Sequence, residues 1–468
     1  MSTEVPDVIE RVYFIGIAGI GMSALARYFR SLGVSVSGYD IDRSSVAKSL
    51  EEEGIVVHYA EEESILPEAP DLVVYTPAIP DTHKGLQHYR NIGVPVMKRS
   101  QILGWISSRH KCIAVAGTHG KTTTSAMITW VMRNCGVNAT AFLGGLAPDL
   151  GGNFVQGDSE WLIAEADEYD RSFHTLSPAI AVATAMDADH LDVYGNYEEM
   201  VESYIGFLQK VHQGGTIILH EEVKKRLGQK VLDGFMDRDI KVITYGIDSG
   251  DYRISELRRE GKGVRFVLRG IDGVRRVVVI GMPGLHNALN ATVALAICDV
   301  LRLELPIAIR ALAKFSGIKR RFEVVYADER HTIIDDYAHH PEELSAAISA
   351  ARLQYPGKSL PAGRAGITGV FQPHLYSRTR DFYREFAKSL DALDTCILVE
   401  LYPARELPIE GVSSKLIFDQ IKNRKKHLTT KKQLISLLVS LNPEILLLLG
   451  AGDLDRMVPE MIERLKVL

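Results

Sequence analysis

Residues 111–124 read KCIAVAGTHGKTTT, which is a short apolar run, a turn with two glycines, and a lysine followed by three threonines. The apolar run predicts a buried β-strand, and the residues from Lys121 onward predict the start of a helix. Gly117 and Gly120 let the intervening backbone point its N–H groups inward, where the positive end of the helix also attracts anions. The stretch is therefore typical of a polyphosphate-binding loop.

Two side chains of this loop have predicted roles toward a nucleotide. Lys121 supplies a full positive charge for phosphate, and the hydroxyl of Thr122 is placed to contact Mg²⁺. The general phosphate-loop pattern has a further glycine five residues before Gly120, and this chain has Val115 there. The loop is thus a variant of that pattern, and an ordinary glycine turn is the less favoured alternative.

Composition narrows the class of protein. The 468 residues suggest three domains at roughly 150 residues each. A net charge of −5 without a long basic run argues against nucleic acid as the main partner. The 4 cysteines lack metal-ligand spacing and fit a reducing cytoplasm. No apolar run reaches the ~18 residues of a membrane span. We expect a cytoplasmic monomer or dimer that binds small molecules.

Three blocks of the chain repeat the order strand, short turn, helix. In the first, the apolar run Val12–Ile15 leads into the turn Gly16–Gly21 and a helix that ends near Ser31, and a second strand ends before Asp40. The glycines are spaced G-x-x-G-x-G, which differs from the usual dinucleotide pattern G-x-G-x-x-G. The blocks predict domains at residues 1–107, 108–316 and 317–468.

Acidic residues after buried strands suggest how the metal site is completed. Glu165 follows the apolar run Trp161–Ala164 and could share with Thr122 the Mg²⁺ of the phosphate loop. The alternative is that the acidic run from Glu165 to Asp170 is a solvated loop. His190 follows another apolar strand among aspartates, so it is either a functional residue beside polyphosphate or a structural histidine.

The third block has apolar strands that deliver polar groups at their carboxyl ends, which is the edge where open parallel sheets bind ligands. His339 and His340 are adjacent and should point in different directions, so substrate contact or helix capping is favoured over zinc. Arg378 could pair with carboxylate or phosphate, or could be a surface charge. The stretch from 355 to 366 predicts a flexible surface connection.

Seven motifs make the resemblance to a known family specific. Their order along the chain resembles that of the Mur ligases of bacterial peptidoglycan synthesis, and the likeness covers nearly the whole chain. Within the family, GIAGIGM at 16–22 and FQPHLYSRTR at 371–380 resemble the alanine-adding members most. The motifs are GTHGKTT at 117–123, EADE at 165–168, DHLD at 189–192, HNALN at 286–290, KRRF at 319–322, DDYAHHP at 335–341 and FQPH at 371–374.

This resemblance implies an α/β fold with three domains. An N-terminal Rossmann-like domain would bind the UDP-sugar, a central P-loop-type ATPase domain would bind ATP, and a C-terminal Rossmann-like domain would close on ATP and bind the amino acid. The implied reaction joins L-alanine to the lactyl carboxylate of UDP-N-acetylmuramate through an acyl phosphate, and ATP becomes ADP and phosphate. ATP and two Mg²⁺ ions are the implied cofactors.

The resemblance also implies roles for individual residues. The implied catalytic residues are Lys121, Glu165, His190 and His339, and the implied metal ligands are Thr122, Glu165 and His190. Those implied for ATP are Gly117, Thr118, Gly120, Lys121, Thr122, Thr123, Asn287, Asn290, Arg320, Arg321 and Asp336. Those implied for the UDP-sugar are Gly19, Gly21, Asp40 and His119, and those implied for the amino acid are Tyr337, His339 and Arg378.

Two other classes of protein explain part of the pattern. A nicotinamide dehydrogenase would account for the first glycine turn and for Asp40, which lies at the position of the acidic residue that binds ribose in such enzymes. This class gives no role to the Lys121 loop. A switch or motor ATPase would account for the loop and Glu165. It leaves the amino-terminal glycine turn and the Arg378 region without a role.

Overall fold

The computed structural model describes residues 5–68, 70–189, 191–356, 366–404 and 406–466. His190 and most of the predicted surface connection lie outside these ranges. The chain divides into two compact units. The first contains Met1–Ser255, Leu268–Arg276 and Leu289–Leu312, and the second contains Glu256–Val267, Val277–Ala288 and Ala313–Leu468.

The amino-terminal sheet belongs to the first unit and is parallel, with the strand order β3-β2-β1-β4-β5. The order reverses beside β1, and ligands of open α/β sheets bind at such a switch point. The predicted strand, glycine turn, helix and strand are confirmed. The strands are β1 (Arg11–Ile15), β2 (Ser35–Tyr39), β3 (Val56–His58), β4 (Leu72–Tyr75) and β5 (Val96–Lys98), and the helices are α1 (Ile20–Ser31), α2 (Ser45–Glu52), α3 (Lys84–Asn91) and α4 (Arg99–Ser107).

The central sheet has the order β15-β14-β13-β12-β11-β10-β6-β9-β7-β8. Its middle strand β6 pairs in parallel with β9 and β10, so the residues that follow these three strands meet at one edge. The strands are β6 (Lys111–Ala116), β7 (Thr140–Ala147), β8 (Gly152–Val155), β9 (Trp161–Glu165), β10 (Pro178–Ala183), β11 (Thr216–His220), β12 (Lys241–Gly246), β13 (Tyr252–Glu260), β14 (Gly263–Arg269) and β15 (Arg275–Ile280).

Helices of the central segment flank this sheet, and two of them begin beside the predicted nucleotide residues. α5 starts at Lys121, and α10 carries Asn287 and Asn290 near its start. The helices are α5 (Lys121–Asn134), α6 (Leu191–Tyr194), α7 (Tyr197–Leu208), α8 (Glu221–Leu227), α9 (Gln229–Met236), α10 (Leu285–Val300) and α11 (Leu305–Leu312).

The carboxyl-terminal sheet belongs to the second unit and has the order β16-β17-β21-β18-β19-β20. Only its edge strand β16 is antiparallel among the pairings described, a departure from the parallel pattern expected from the sequence. The elements are β16 (Glu323–Ala327), β17 (Thr332–Asp336), α12 (Pro341–Gln354), β18 (Ile367–Phe371), α13 (Tyr376–Leu390), β19 (Thr395–Leu398), α14 (Ser414–Phe418), β20 (Lys426–Leu428), α15 (Lys431–Leu441), β21 (Ile445–Leu449) and α16 (Val458–Leu465).

The second unit also includes parts of β13, β14 and β15. The buried side chain of Gln354, at the end of α12, donates a hydrogen bond of 2.9 Å to the carbonyl of Gly261 in the β13–β14 turn. The prediction of an α/β fold with three domains is confirmed by the three sheets of the described chain. Among the described helices, none has the length and apolar character that a membrane crossing requires.

A buried polar cluster joins the amino-terminal sheet to the central sheet inside the first unit. Asn153, on β8, is fully buried, and its amide donates to the carbonyl of Ile20 at 2.5 Å and to the Ser23 hydroxyl at 2.9 Å. Its carbonyl oxygen accepts a bond of 2.6 Å from Arg27, which also pairs with Glu53. Helix α1 is therefore fixed to β8 by a buried side chain that makes three hydrogen bonds.

Replacing Asn153 with alanine should lower the stability of this junction. The change removes the three hydrogen bonds that the Asn153 side chain makes to Ile20, Ser23 and Arg27, so we expect the free energy of unfolding to fall by about 2 kcal/mol. Urea denaturation measures the loss, and Asn91→Ala on the exposed end of α3 is the control. Equal midpoints for the two variants would contradict the role given to Asn153.

Candidate nucleotide site

The phosphate loop has the strand, turn and helix that its sequence predicts. β6 ends at Ala116, α5 begins at Lys121, and Gly117 and Gly120 adopt φ angles of +142° and +82°. A Cβ on Gly117 would lie 2.0 Å from the Thr184 hydroxyl, and one on Gly120 would lie 2.9 Å from the Asn290 carbonyl oxygen. Both positions therefore require glycine for its backbone angles and for space.

Lys121 is held at the loop by a buried carboxylate. Its ammonium lies 2.8 Å from each oxygen of Glu168 and 2.6 Å from the carbonyl of Gly117, and Glu168 is only 1% exposed. Burial acts to lower the pKa of Lys121, but the carboxylates of Glu168, Asp167 and Glu165 outweigh it and leave the pKa raised. Lys121 is therefore charged at neutral pH.

Thr122 and Glu165 meet beside Lys121, as predicted for a shared metal ion. The Thr122 hydroxyl donates to Oε2 of Glu165 at 3.1 Å, and Oε1 of Glu165 accepts a hydrogen bond from the Gly144 backbone N–H. A hydroxyl and a carboxylate are the hard oxygen donors that Mg²⁺ prefers, so these two residues fit the ion. Among the described positions, no group of three or more histidine, cysteine or acidic residues is arranged to hold a metal ion.

Two functional side chains were missed by sequence reasoning. Glu168 belongs to the acidic run whose alternative reading was a solvated loop, yet it is the buried partner of Lys121. Thr184 is the first residue after β10, the neighbour of β6, and its hydroxyl donates to the His119 carbonyl at 2.5 Å. The sequence feature that could have identified Thr184 is its position as the first polar residue after an apolar strand.

The two aspartates of the acidic run differ from its two glutamates. Asp167 pairs with Arg99 at 3.2 Å, and Asp170 pairs with Lys98 at 2.9 Å, with partly exposed side chains in both pairs. The solvated-loop interpretation therefore suits Asp170, whereas Glu165 and Glu168 face the phosphate loop. Arg99 is a further residue that the sequence interpretation missed. Besides its pairing with Asp167, it lies close to the amino-terminal glycines, since a Cβ on Gly21 would be 3.1 Å from its guanidinium.

The two asparagines of α10 have different surroundings. The carbonyl oxygen of Asn290 accepts a hydrogen bond of 3.1 Å from the Thr124 hydroxyl, which attaches α10 to the phosphate-loop helix α5. The amide of Asn287 donates to the carbonyl of Pro283 at 2.7 Å, just before α10 begins. Asn290 therefore lies at the loop, and a contact of Asn287 with the nucleotide base stays a prediction.

The residues predicted for the UDP-sugar lie at two places in the first unit. Gly19 and Gly21 form the turn into α1, and the Asp40 carboxylate accepts a hydrogen bond of 2.8 Å from the backbone N–H of Ala18 in this turn. His119 lies within the phosphate loop, 3.6 Å from the Asp187 carboxylate. Asp40 thus supports the shape of the turn, and its contact with the UDP-sugar stays a prediction.

In the second unit, the arginines and aspartate predicted for ATP lie at the carboxyl edge of the sheet. Arg320 donates to the carbonyl of Gly450 at 2.8 Å and pairs with Asp335 at 3.3 Å. Arg321 lies 3.6 Å from Glu343. Asp336 accepts backbone hydrogen bonds of 2.8 Å from Phe322 and Ala338.

Both aspartates of this edge are buried and hold protons more tightly than usual. Burial raises the pKa of Asp336 to about 6, against the opposing effect of Arg321. Burial likewise raises the pKa of Asp335 to about 7, against Arg320 and with help from Asp455. The edge therefore combines two cations with acids that exchange protons near neutral pH.

The predicted amino-acid residues Tyr337 and His339 are neighbours at the same edge. Nδ1 of His339 lies 2.8 Å from the Tyr337 carbonyl, and the His339 ring is 5.9 Å from that of His374. His340 packs instead against Phe382, so the two histidines do point in different directions. Arg378 is buried in the first turn of α13, which does not suit the surface-charge alternative.

Three family models match the chain in order and together span most of its length. The Mur ligase family catalytic domain matches residues 11–111, the Mur ligase middle domain matches 115–298, and the Mur ligase glutamate ligase domain matches 320–452. The chain belongs to the Mur ligase family. The phosphate loop of this Mur ligase therefore lies in the middle domain, and the adjacent His339 and His340 lie in the glutamate ligase domain.

Curated relatives and solved structures resemble this Mur ligase over nearly the full chain. UDP-N-acetylmuramate–L-alanine ligase of Cytophaga hutchinsonii is 42% identical over 96% of both chains, and that of Porphyromonas gingivalis is 41% identical over 98% of this chain and 100% of its own. The structure of UDP-N-acetylmuramate-alanine ligase from Thermotoga maritima matches with a TM-score of 0.80 and 27% identity, covering 98% of this chain and 99% of that one.

Replacing Glu168 with glutamine should destabilise the ligand-free protein. The change leaves the buried Lys121 ammonium without its partner, and removing one member of a buried pair costs about 3 kcal/mol in free energy of unfolding. Urea denaturation without nucleotide measures the loss. The control is Glu160→Gln, which removes the exposed partner of Lys111 and should cost less than about 1 kcal/mol. If both variants lose a similar free energy of unfolding, the Lys121–Glu168 pair stabilises the fold no more than an exposed ion pair does.

Proposed function

We propose that this Mur ligase joins L-alanine to the lactyl carboxylate of UDP-N-acetylmuramate, with conversion of ATP to ADP and phosphate. The observation that carries the proposal is a charged lysine fixed in a glycine phosphate loop, in a chain about 40% identical over its length to UDP-N-acetylmuramate–L-alanine ligases. The reaction belongs to the synthesis of peptidoglycan precursors.

The chemistry requires an activated acid because a carboxylate does not accept an amine directly. The lactyl carboxylate would attack the γ-phosphorus of ATP, the bond to the β-phosphate oxygen would break, and ADP would leave. The amine of alanine would then attack the acyl phosphate, and the tetrahedral intermediate would lose phosphate and a proton to give the amide. Little covalent work falls to the protein, so its main contributions are positioning and charge.

Lys121 is the residue that we assign to the transferred phosphoryl group. A fixed cation in a water-poor site stabilises charge that develops on the phosphate oxygens. Glu168 would keep this cation in place before ATP binds, because both oxygens of its carboxylate accept hydrogen bonds from the Lys121 ammonium. Binding of polyphosphate would then replace one anionic partner of Lys121 by another, without leaving the ammonium unpaired.

Thr122 and Glu165 are the residues that would hold one Mg²⁺, and we assign His190 to a second. When bound, Mg²⁺ would neutralise phosphate charge. The geometric support is the contact of 3.1 Å between the Thr122 hydroxyl and Glu165, which brings two oxygen donors to the start of α5. Glu165 is kept in this orientation by the backbone N–H of Gly144.

The other assignments are those that the resemblance to the family implies. For ATP we assign the loop residues Gly117 to Thr123 together with Asn287, Asn290, Arg320, Arg321 and Asp336. For the UDP-sugar we assign Gly19, Gly21, Asp40 and His119, and for alanine Tyr337, His339 and Arg378. Proposed domains at 1–107, 108–316 and 317–468 agree in order with the three matched family domains.

An assay of ADP release is the direct test of the proposed reaction. The protein is incubated with ATP, Mg²⁺ and UDP-N-acetylmuramate, and alanine, glycine or serine is added in turn. We expect rapid ADP release only when the sugar nucleotide and an amino acid are both present, with alanine the fastest. ADP release at full rate without any amino acid would instead support an autonomous ATPase.

The paired variant Lys121→Met/Glu168→Gln separates the catalytic role of Lys121 from its structural role. Because both charges are removed together, we expect the double variant to lose less stability than Glu168→Gln alone. Its ADP release should fall about 10³-fold, since a fixed cation contributes about 4 kcal/mol to such a barrier. The control Lys111→Met removes the exposed lysine at the start of β6 and should leave the rate unchanged. A double variant as active as the parent would refute the role of Lys121.

Glu165→Gln should raise the Mg²⁺ concentration needed for half-maximal ADP release. The amide keeps the shape of the side chain but removes the negative charge that attracts the ion, so we expect an increase of about tenfold. The matched control is Asp170→Asn, five residues later in the exposed part of the acidic run. If the magnesium titration of Glu165→Gln overlays that of the control, Glu165 does not bind the metal.

A further inference from the structure

An arginine that belongs to none of the seven motifs holds the short segment after β10. Arg226 lies in the last turn of α8, where Nη1 donates to the carbonyl of Met186 and Nη2 donates to the Asp187 carboxylate at 3.1 Å. Its guanidinium is 5.8 Å from the centre of the Tyr197 ring, and the Tyr197 hydroxyl donates to the same Met186 carbonyl at 3.0 Å. Arg226 therefore fixes both the backbone and an acidic side chain of this segment.

The same segment also lies against the first half of the phosphate loop. The backbone N–H of Thr118 donates to the carbonyl of Ala185 at 3.3 Å, and the Thr118 hydroxyl accepts a hydrogen bond of 3.2 Å from the backbone N–H of Asp187. Nε2 of His119 is 3.6 Å from Oδ2 of Asp187. The segment therefore connects Arg226 on α8 to two residues of the loop.

The two oxygens of the Asp187 carboxylate face different side chains. Oδ1 accepts the hydrogen bond from Arg226, and Oδ2 faces the imidazole of His119. The planar guanidinium donates in fixed directions, so its bonds to the Met186 carbonyl and to Oδ1 set the orientation of the carboxylate. The side chain of His119 is 33% exposed, which leaves its ring accessible to a ligand while one edge faces Asp187.

The second half of the phosphate loop is supported by other residues. Lys121 is paired with Glu168, and the Thr122 hydroxyl donates to Glu165. Both acidic partners follow β9, whereas Asp187 follows β10. A change at Arg226 should therefore disturb His119 more than the side chains assigned to phosphate and Mg²⁺.

We propose that Arg226 is a positioning residue, which fixes the imidazole of His119 through the Asp187 carboxylate for contact with the UDP-sugar. The inference rests on the proposed function, in which His119 binds that substrate. Arg226 acts through Asp187 and not on the substrate itself. Its loss should therefore weaken binding of the UDP-sugar and leave the binding of ATP nearly unchanged.

The first experiment uses the full chain without substrates. Amide hydrogen exchange, followed by mass spectrometry, reports on the backbone N–H groups of Thr118 and Asp187, which bond across the contact. In Arg226→Ala we expect both to exchange about fivefold faster, because the segment that carries their partners is released from α8. Parental exchange at both positions would overturn the proposal.

Arg238→Ala is the matched control for the loss of an arginine. Arg238 donates to the backbone carbonyls of Gln209 at 2.7 Å and Val211 at 2.9 Å, so its removal also breaks bonds to backbone carbonyls. We expect this variant to leave the exchange of Thr118 and Asp187 unchanged. Equal acceleration in both variants would show a general loosening of the domain and would overturn the specific role of Arg226.

The second experiment measures ADP release at saturating alanine. In Arg226→Ala we expect the KM for UDP-N-acetylmuramate to rise about tenfold, with kcat and the KM for ATP changed less than about twofold, because only binding of the sugar nucleotide is weakened. Arg226→Lys should raise that KM by only about threefold, since an ammonium can still contact Asp187. Arg238→Ala should keep the parental values.

A double variant shows whether Arg226 acts through His119. His119→Ala should raise the KM for UDP-N-acetylmuramate at least as much as Arg226→Ala, and His119→Ala/Arg226→Ala should match His119→Ala alone. Effects that multiply in the double variant, or a parental KM in either single variant, would overturn the proposal. If the parent itself releases no ADP, the proposed function fails, and the hydrogen-exchange result alone then decides whether Arg226 positions the loop.

Discussion

The buried ion pair between Lys121 and Glu168 is the interaction on which the nucleotide site depends. A charge buried in a protein interior is costly without a partner of opposite sign, and here the Glu168 side chain is 1% exposed and that of Lys121 is 17% exposed. The pair fixes the lysine against the Gly117 carbonyl and fixes the acidic segment after β9 against the loop. The loop, the Glu165 carboxylate and the Lys121 ammonium are thereby fixed relative to one another.

Preorganisation of this kind has an energetic reason. A flexible lysine would lose side-chain entropy when ATP binds. A lysine that is already fixed loses this entropy during folding, so ATP binding does not have to order it. The surrounding glycines serve the same end, because the Thr184 hydroxyl lies where any side chain at Gly117 would be. In the second unit, burial raises the pKa values of Asp335 and Asp336 to about 7 and about 6, so the negative charge of this edge decreases as the pH falls below neutral.

Local signals in the sequence predicted the strand, turn and helix of the phosphate loop, because glycine backbone angles and apolar periodicity act over a few residues. They also predicted the meeting of Thr122 and Glu165, since both follow strands of one parallel sheet. The roles of Glu168, Thr184 and Arg99 were not predicted, because each depends on which elements lie side by side. The antiparallel edge strand β16 was missed for a similar reason: an isolated strand carries no local mark of its direction.

The hydrogen bond from Gln354 to Gly261 bears on how the protein can be divided. The second unit is assembled from separate parts of the sequence, so its core is not a continuous terminal segment. A fragment that starts at residue 317 would lack the β13–β14 turn and leave the buried amide of Gln354 without an acceptor. The hydrogen bond to Gln354, 93 residues later in the sequence, thus constrains insertions and deletions in the turn between β13 and β14. Evolutionary exchange of whole segments between relatives would have to carry these hairpins together with the carboxyl-terminal sheet.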